Sequence, residues 1–360
     1  MKIGLITFHR AENYGAALQS AASIIFINNH KRICELIDFY QNNVSKPSRG
    51  VIKCYLRKLR DSYYVLLRKP QFIKKKRFLD FYKEYYIVSD TKYYGDDEIR
   101  LNPPNYDVLI SGSDQILNTT LTGCSKSYYL SFSDGQNKIS YASSFGRTNL
   151  SDDEKTLIQA ELPKFSAISV REKNGVSIIG DLIGVQPTVV LDPVFLLDKE
   201  EWSNIEKPLK HIYTDYILVY TMENSIILEE IVNSLKKEYT LPVLVIRGGG
   251  TANRISGTDL QECGPSEFLD LIHHAALVVT NSFHGIAFSM IYRKKFIAIS
   301  HSTRNDRIKS ILELAQKEKQ LVSEEYCIDK NVIDGESAYS NLLSLIESSK
   351  SYLKNSIDRL

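Results

Sequence analysis

The sequence predicts an α/β fold of two domains, each built on a mostly parallel sheet. Short apolar runs rich in β-branched residues alternate with longer amphipathic stretches, which is typical of strands joined by helical crossovers. At 360 residues the chain exceeds the size at which a single hydrophobic core usually stops growing. Two domains of ordinary size are therefore expected, with a cleft between them.

The first sheet is predicted from six apolar runs in the amino-terminal half. Its strands are expected at residues 3–7, 34–38, 108–111, 139–142, 167–170 and 188–191. A helix should begin between the fourth and fifth of these runs. There Ser151 and Glu154 have the spacing of a capping box, in which each side chain satisfies an exposed backbone donor.

A second series of apolar runs predicts the second sheet, with strands at residues 216–220, 243–246, 277–280 and 296–299. Residues 198–214 between the two series are polar, carry the only tryptophan (Trp202) and show no clear period. We place the domain boundary there, giving domains of residues 1–205 and 206–335. Residues 336–360 read as a helical tail that packs back across the hinge.

Composition narrows the class of protein. The chain is 43% apolar and 24% charged with a net charge of +2, which fits a globular protein and implies no general affinity for nucleic acid. The first apolar run is too short for a signal peptide, and no window approaches the roughly 20 apolar residues of a membrane span. Five cysteines lack metal-ligand or C-x-x-C spacing. A cytoplasmic protein with reduced thiols and no metal is expected.

One region interrupts the α/β pattern. Residues 46–83 contain thirteen Lys or Arg residues against two acids, Asp61 and Asp80, interleaved with tyrosine, phenylalanine and leucine. A basic aromatic helical insertion, placed at about 46–86, can lie on an anionic membrane surface. The alternative is a solvated basic face on ordinary helices. Nucleic acid is not predicted as a partner, because no nucleic-acid motif accompanies the basic run.

Polar segments follow four of the predicted strands. Residues 7–19 form a polar turn, with His9, Asn13 and Tyr14, that could cradle a phosphate or a sugar but lacks the glycine spacing of a dinucleotide site or P-loop. Residues 110–118 carry Asp114 and Gln115, which could bond sugar hydroxyls, although such an aspartate can also be only a helix cap.

The other two segments carry a cation and a histidine. Arg171 directly follows a predicted strand and could grip a carboxylate or phosphate, or pair with neighbouring Glu172. Residues 277–285 read as strand, turn and helix, with Asn281, Ser282 and His284 in the turn. Such a turn favours anion binding and proton transfer, whereas a buried structural histidine is the simpler interpretation of that segment alone.

Seven motifs occur in order from residue 2 to about 296, and together they resemble the polysaccharide pyruvyltransferase family. They are T-F-H-x-x-x-N-Y-G-A-x-L-Q, G-S-D-Q-I-x-N, S-Y-A-x-S-F-G, S-V-R-E, L-D-P, G-P-x-E-F-L and T-N-S-F-H-G. The resemblance implies two Rossmann-like domains in a GT-B-like arrangement with an interdomain active-site cleft. It also implies phosphoenolpyruvate as donor substrate, a sugar as acceptor and a cyclic pyruvate ketal as product.

The chemistry of this reaction, together with the family motifs, assigns expected roles to individual residues. His284, Asp114 and Arg171 are the expected catalytic residues, with His284 for proton transfer or phosphate contact and Asp114 as base. The expected donor-binding residues are Arg171, Asn281, Ser282, Phe283, His284, Arg304 and Arg307, although Arg304 and Arg307 could each be ordinary surface arginines. The expected acceptor-binding residues are His9, Asn13, Tyr14, Asp114 and Gln115. Asp192 is assigned to the hinge, and no cofactor is expected.

The expected function is pyruvyl transfer to a capsule, exopolysaccharide or cell-wall glycan precursor, with galactose as one acceptor that the resemblance allows. If the acceptor is linked to polyprenyl diphosphate, the basic insertion would bring the enzyme to the inner face of the cell membrane. Two alternatives stay open. One is a nucleotide-sugar-dependent glycosyltransferase of the same architecture, and the other is a noncatalytic glycan- or membrane-binding scaffold.

Overall fold

A computed structural model describes residues 1–30, 32–41, 51–134, 137–209, 214–223, 225–248, 255–302, 305–325 and 328–360. Its first sheet has seven parallel strands in the order β3-β2-β1-β4-β5-β6-β7. They are β1 (Lys2–Ile6), β2 (Ile33–Tyr40), β3 (Val88–Tyr94), β4 (Val108–Ser111), β5 (Asn137–Ser143), β6 (Ala167–Val170) and β7 (Thr188–Val189).

The second sheet has five parallel strands in the order β10-β9-β8-β11-β12. They are β8 (Ile217–Thr221), β9 (Val243–Arg247), β10 (Thr258–Asp259), β11 (Leu277–Thr280) and β12 (Phe296–Ala298). In both sheets the strand order reverses near the middle, between β1 and β4 and between β8 and β11. The loops that leave such a pair diverge, and ligands of open α/β sheets bind in the crevice they leave at the carboxyl ends.

Helices join the strands. They are α1 (Tyr14–Asn28), α2 (Val51–Leu66), α3 (Pro70–Tyr85), α4 (Asp96–Leu101), α5 (Thr119–Thr122), α6 (Asp152–Glu161), α7 (Lys173–Ile183), α8 (Lys199–Ser203), α9 (Ile226–Tyr239), α10 (Pro265–His274), α11 (Phe283–Ile291), α12 (Asn305–Leu314), α13 (Ile328–Asn331) and α14 (Gly335–Asp358). Short 3₁₀ turns lie at Lys126–Tyr129, Leu162–Lys164, Pro193–Leu196 and Glu318–Gln320. Within the described ranges no helix has the length and apolarity needed to cross a bilayer.

The predicted strands are confirmed, but two strands were missed. Every predicted run forms a strand, and the bounds of β4, β6 and β11 agree with the prediction. β3 was missed because its middle residues, at positions 90–92, are polar and exposed, so the strand has no apolar run. β10 has only two residues. The capping box is confirmed, since Ser151 accepts from the Glu154 backbone and the Glu154 carboxylate accepts from the Ser151 backbone.

The segment predicted as an irregular boundary is partly a packed element. Asp198 and Glu201 form a second capping box at the start of α8. Trp202 is completely buried, its indole N–H donates to the Val194 carbonyl at 2.9 Å, and its ring meets Phe288 edge-on at 5.0 Å. The tryptophan therefore belongs to the core between the two sheets. The exact domain bounds stay a prediction, with one sheet on either side of residue 205.

The predicted helical tail is present as α14, which packs against α11, β5 and the turn Pro193–Leu196. Its inner face is apolar and buried through Leu342, Ile346 and Leu353. The backbone N–H of Leu191 also donates to Ser349 Oγ at 3.0 Å. The carboxyl-terminal helix thus contacts elements of both halves of the chain.

The basic insertion forms the helices α2 and α3. Two of its phenylalanines belong to the core, and contact of the insertion with a membrane stays a prediction. Phe78 and Phe81 are buried, and Phe78 packs against Tyr14 with 5.3 Å between ring centroids. Residues 46–50 lie outside the described part of the chain.

Candidate functional site

A cavity of about 320 Å³ lies where the carboxyl ends of the two sheets face each other. The loops after β1, β2 and β4 form one wall, and the segments after β8, β11 and β12 form the other. These include the loops at which each strand order reverses, so both sheets present their crevice to the same space. Eight of the residues predicted from the sequence line the cavity: Asn13, Asp114, Gln115, Asn281, Ser282, Phe283, His284 and Arg307.

The wall after β11 is held rigidly. Ser282 caps α11, since its Oγ accepts from the Gly285 backbone, and its own N–H donates to Thr280 Oγ1 at 3.0 Å. Asn281 Oδ1 accepts from the Met222 backbone at 2.8 Å, which ties this loop to the loop after β8. Asn281 Nδ2 is buried and forms no hydrogen bond within the described part of the chain. The amino terminus of α11 therefore offers donors and a favourable dipole to an anion in the cavity.

His284 lies in the first turn of α11 and is buried. Its Nε2 is 3.8 Å from Asp192 Oδ2 and has no hydrogen-bond partner among the described residues. Burial lowers the pKa of His284 below its usual value, an effect that outweighs the nearby carboxylates of Asp192 and Asp114. We therefore expect a neutral imidazole in the free protein near neutral pH.

Gly15 of α1 explains how this histidine fits. A Cβ atom at position 15 would lie 2.0 Å from His284 Nδ1, so the imidazole occupies the space that any other side chain would need. The contact joins the first helix of one sheet to the site helix of the other. The N-Y-G-A motif thus needs its glycine to leave space for His284, and not because the helix α1 needs a glycine there.

Asp192, which the sequence assigned only to the hinge, lies beside His284 and Arg171 behind the cavity wall. Its completely buried carboxylate accepts from Arg171 Nη1 at 2.6 Å, from Ser113 Oγ at 3.1 Å and from the Val194 backbone at 3.2 Å. It also faces His284. Its position directly after the predicted strand at 188–191 was an available signal, since the same criterion selected the other site segments.

Arg171 lies behind Phe283 rather than in the cavity. Its Nε donates to Glu172 Oε1 at 3.0 Å, and its guanidinium stacks on the Phe283 ring at 4.7 Å. Although burial opposes the charge, the carboxylates of Glu172, Asp192 and Asp114 raise the pKa of Arg171, which stays a cation. The ion pair that the sequence left open is therefore formed. Direct contact of Arg171 with a donor stays a prediction, and its observed contacts position Asp192 and Phe283.

Asp114, Gln115 and Arg307 form a charged group on the cavity wall. Asp114 has a left-handed backbone with φ of 70°, and its Oδ1 lies 3.6 Å from Arg307 Nη1. Burial works to raise the pKa of Asp114, but Arg307 and Arg171 outweigh it and hold the pKa below its usual value. With its oxygen turned toward Arg307, the Gln115 amide would accept from Arg307 Nη2 at 2.9 Å, which suits a guanidinium because that group can only donate.

Arg307 is buried, which excludes the interpretation of an ordinary surface arginine. Arg304, predicted beside it, lies outside the described residues. Gly146 makes room for Gln115, since a Cβ atom at position 146, where φ is 65°, would lie 2.1 Å from the end of the Gln115 amide group. The final glycine of the S-Y-A-x-S-F-G motif, just after strand β5, thus leaves the space that the Gln115 side chain occupies.

Two predicted acceptor residues lie elsewhere. Tyr14 is buried between the two halves of the chain, where it stacks on Phe268 at 4.7 Å and donates to the Cys263 carbonyl at 2.9 Å. It is not among the residues that line the cavity, and contact of Tyr14 with an acceptor stays a prediction. His9 lines a neighbouring cavity of about 180 Å³, with Nδ1 3.0 Å from the Thr7 carbonyl and Nε2 3.7 Å from Asp38 Oδ1.

Potential metal ligands come together away from the cavity. Ligand atoms of Glu206, His273 and His274 lie within 4.8 Å of one another. His273 Nδ1 is 3.0 Å from Glu206 Oε1, and the His273 ring stacks on Tyr292 at 4.6 Å. These contacts account for His273 as a partner of Glu206 that packs on Tyr292.

The fold and the cavity define a class of protein: a two-domain α/β protein of the GT-B arrangement, with its site between two parallel sheets. Within that class, the chain belongs to the polysaccharide pyruvyl transferase family, whose sequence model matches residues 13–303. The resemblance of the seven motifs is thereby confirmed. A comparison with curated protein sequences returned no match.

Solved structures of similar fold include S. aureus MnaA with UDP, with a TM-score of 0.51 at 11% identity over 98% of this chain and 90% of that chain. A second is UDP-GlcNAc 2-epimerase from Neisseria meningitidis bound to UDP-GlcNAc, with a TM-score of 0.49 at 11% identity over 98% and 94%. A third is Anabaena Alr3699/HepE in complex with UDP and glucose, with a TM-score of 0.48 at 8% identity over the whole of both chains. At 11% identity, the likeness to S. aureus MnaA establishes the fold alone.

Proposed function

We propose that the protein transfers the pyruvyl group of phosphoenolpyruvate to two hydroxyls of one sugar in a glycan precursor, forming a cyclic ketal and releasing phosphate. One observation carries the proposal within this family. A buried histidine, a buried arginine and a helix amino terminus meet in a cavity between the two sheets. A trianionic donor that must be protonated at carbon needs these groups.

The reaction balances without a cofactor. A proton adds to the methylene carbon of phosphoenolpyruvate, which gives a methyl group and an electron-poor centre at the adjacent carbon. One sugar hydroxyl adds to that carbon and loses its proton, and phosphate leaves with the electron pair of its C–O bond. The second hydroxyl then adds and loses its proton, which closes the ring. One of the two protons released replaces the one consumed, and the other leaves on phosphate.

In this proposal Arg307 and the amino terminus of α11 bind the donor's anionic groups. His284 is neutral in the free protein, because burial lowers its pKa. The negative charge of a bound donor would raise that pKa, so His284 would take up a proton as the donor binds and deliver it to the methylene carbon. Asp192, which faces Nε2, would stabilise the imidazolium.

Asp114 is the proposed base for the acceptor hydroxyls. Its lowered pKa keeps it ionised at neutral pH, and it lies on the wall opposite α11. Asn13 and Gln115 lie on the same wall and offer amide groups to sugar hydroxyls. The acceptor would thus enter from the amino-terminal sheet and the donor would rest on the carboxyl-terminal one. The acceptor class proposed is a capsule, exopolysaccharide or cell-wall precursor.

Thermal stability with added ligand tests the proposal. Phosphoenolpyruvate should stabilise the wild-type protein more than phosphate does, because a ligand that binds only the folded state shifts unfolding by mass action. The Arg307→Gln variant should lose this shift. The matched control is Arg293→Gln, which removes an arginine at the other end of α11, where it pairs with Glu336. This control should keep the full shift.

The outcomes separate the candidate functions. Stabilisation by a nucleotide-sugar and not by phosphoenolpyruvate would contradict the proposal and favour a glycosyltransferase of the same architecture. A shift that survives in Arg307→Gln would remove Arg307 from the donor site. If phosphoenolpyruvate stabilises the protein, phosphate release on addition of candidate oligosaccharides then identifies the acceptor.

A further inference from the structure

The connection between α2 and α3 exposes an apolar surface. The surface consists of Tyr63 and Leu66 in the last turn of α2 and of Leu67 directly after it. Their exposed fractions are 57%, 80% and 48%. Arg68 and Lys69 follow directly and are also exposed. We call these five residues the hairpin tip. Three large apolar or aromatic side chains so close together in the open are unusual on a globular protein and mark a contact surface.

The exposure of the tip is not a sign of an unfinished core, because the rest of the hairpin is firmly attached. Tyr64 stacks on Phe72 at 4.6 Å and joins the two helices behind the tip. Further along α3, Arg77 pairs with Glu267 at 3.2 Å and Tyr82 donates to the Ala11 carbonyl at 2.7 Å. The base of the hairpin is thus fixed to the body, and the tip is held away from it.

Charge at the tip is positive and uncompensated. Within the described part of the chain, no carboxylate lies within ion-pair distance of Arg68 or Lys69. The acids nearest in sequence are already paired, Asp61 with Arg60 and Lys75, and Asp80 with Lys76. An anionic partner would therefore meet two free cations beside three apolar side chains.

We propose that the hairpin tip docks the protein onto an anionic phospholipid bilayer, with Tyr63, Leu66 and Leu67 in the interface and Arg68 and Lys69 on headgroup phosphates. Exposed leucines beside basic residues match a bilayer interface, which accepts apolar side chains below a layer of negative charge. A nucleic acid would complement the cations but not the leucines. This inference does not depend on the proposed reaction.

The placement has a consequence for the cavity. Tyr82 of α3 is bonded to Ala11, which lines the cavity on the amino-terminal side, where the acceptor is proposed to bind. The same hairpin that would contact the bilayer at its tip is thus hydrogen-bonded at its base to the acceptor wall. Docking would bring that wall to the surface on which a lipid-linked sugar is anchored.

Vesicle co-sedimentation of the full chain tests the inference. The probes are vesicles of phosphatidylcholine alone and of phosphatidylcholine with phosphatidylglycerol in equal parts. The tip variants are Leu66→Glu/Leu67→Glu and Arg68→Glu/Lys69→Glu. Their matched controls are Ile226→Glu, which changes an isoleucine 76% exposed on α9, and Lys236→Glu/Lys237→Glu, which changes consecutive lysines at the end of α9. Circular dichroism melts establish that all four variants fold.

The wild-type protein should bind the vesicles that contain phosphatidylglycerol, and added salt should weaken this binding. Each tip variant should bind more than about tenfold more weakly, and both controls should bind at the wild-type level. Three results would overturn the inference. One is no binding to the anionic vesicles, and another is equal binding by wild type and tip variants. The third is that a single-stranded oligonucleotide displaces the protein from the vesicles and still binds the Leu66→Glu/Leu67→Glu variant. That result would assign the cations of the tip to nucleic acid.

Discussion

His284 shows how burial sets the chemistry of a single residue. The imidazole is enclosed by α1, Phe283 and the loop that carries Asp192, and solvent can no longer stabilise its charged form. The two nearby carboxylates only partly replace the lost water, so the pKa falls. A residue of this kind is ready to gain a proton when an anion arrives, which suits the donor proposed here.

The lowered pKa predicts a pH-dependent stability. Between the lowered folded value and the unfolded value of about 6.5, the unfolded chain binds more protons at His284 than the folded chain does. This contribution to the free energy of unfolding is therefore complete above about pH 6.5 and declines as the pH falls below it. Urea unfolding at about pH 7.5 and about pH 5.5 measures the decline.

The His284→Gln variant should lose less stability over this range than the wild type. His30→Gln, which changes a histidine outside the site, should lose as much as the wild type does. Equal losses in wild type and His284→Gln would show that folding does not lower the pKa of His284.

Asp192 and Arg171 show what single motifs cannot reveal. Arg171 was selected because it follows a strand, and Asp192 was not, yet they form one buried pair. Three groups on separate segments, Ser113, Arg171 and His284, face the same carboxylate. No spacing in the sequence states that these segments meet, because parallel crossovers bring distant strand ends to one edge.

At the scale of elements, apolar periodicity predicted the strands well because both faces of these parallel sheets are covered. The strands β4 and β11 are buried along their whole length, and each reads as three apolar residues followed by one hydroxyl residue, Ser111 or Thr280. β3 lies at the edge of its sheet, where one side meets solvent, and its polar residues conceal it. The capping box was predictable because its hydrogen bonds are local.

The helix α14 provides a stability prediction. Leu342 is completely buried against the body, whereas its neighbour Leu343 is 49% exposed. Leu342→Ala should lower the free energy of unfolding by about 2 to 5 kcal/mol, because it removes buried methyl groups and leaves a cavity. Leu343→Ala should change it by about 0.5 kcal/mol or less. Urea unfolding measures both, and equal effects would mean that α14 does not pack on this face in solution.

At the scale of the whole molecule, the two halves share a core as well as a cavity. Tyr14 from the first half stacks on Phe268 of the second, and Trp202 joins them through Phe288. Tyr14 is the first residue of α1, and the cavity residue Asn13 caps that helix. The contacts of Tyr14 therefore fix the cavity wall that carries Asn13 against the second half of the chain. Packing between the halves thus determines the distance between the proposed donor and acceptor walls.

Gly15 tests this arrangement. Alanine is the better helix former by up to about 1 kcal/mol, so Gly15→Ala would stabilise an isolated α1. In the protein its Cβ would press on the His284 ring, and overpacking of this kind costs about 1 to 3 kcal/mol. We therefore expect a lower melting temperature and loss of stabilisation by phosphoenolpyruvate.

The control for this prediction is Gly180→Ala in α7. The nearest atom to a new Cβ at position 180 is the flexible end of Gln186, at 3.0 Å, so this alanine should leave the melting temperature unchanged or raise it. A Gly15→Ala protein that behaves like Gly180→Ala would show that the two halves lie farther apart in solution.

The sequence by itself determined the fold class, nearly all of the strands, the family and eight of the residues that line the cavity. It could do so because apolar periodicity, helix caps and ordered motifs are local properties of the chain. Only the tertiary structure decided that Tyr14 is core, that Arg171 is already paired, that Asp192 faces His284 and that Gly15 makes room for the imidazole. These facts depend on which distant segments meet, and that is determined by the packing of the two sheets against each other rather than by any one segment.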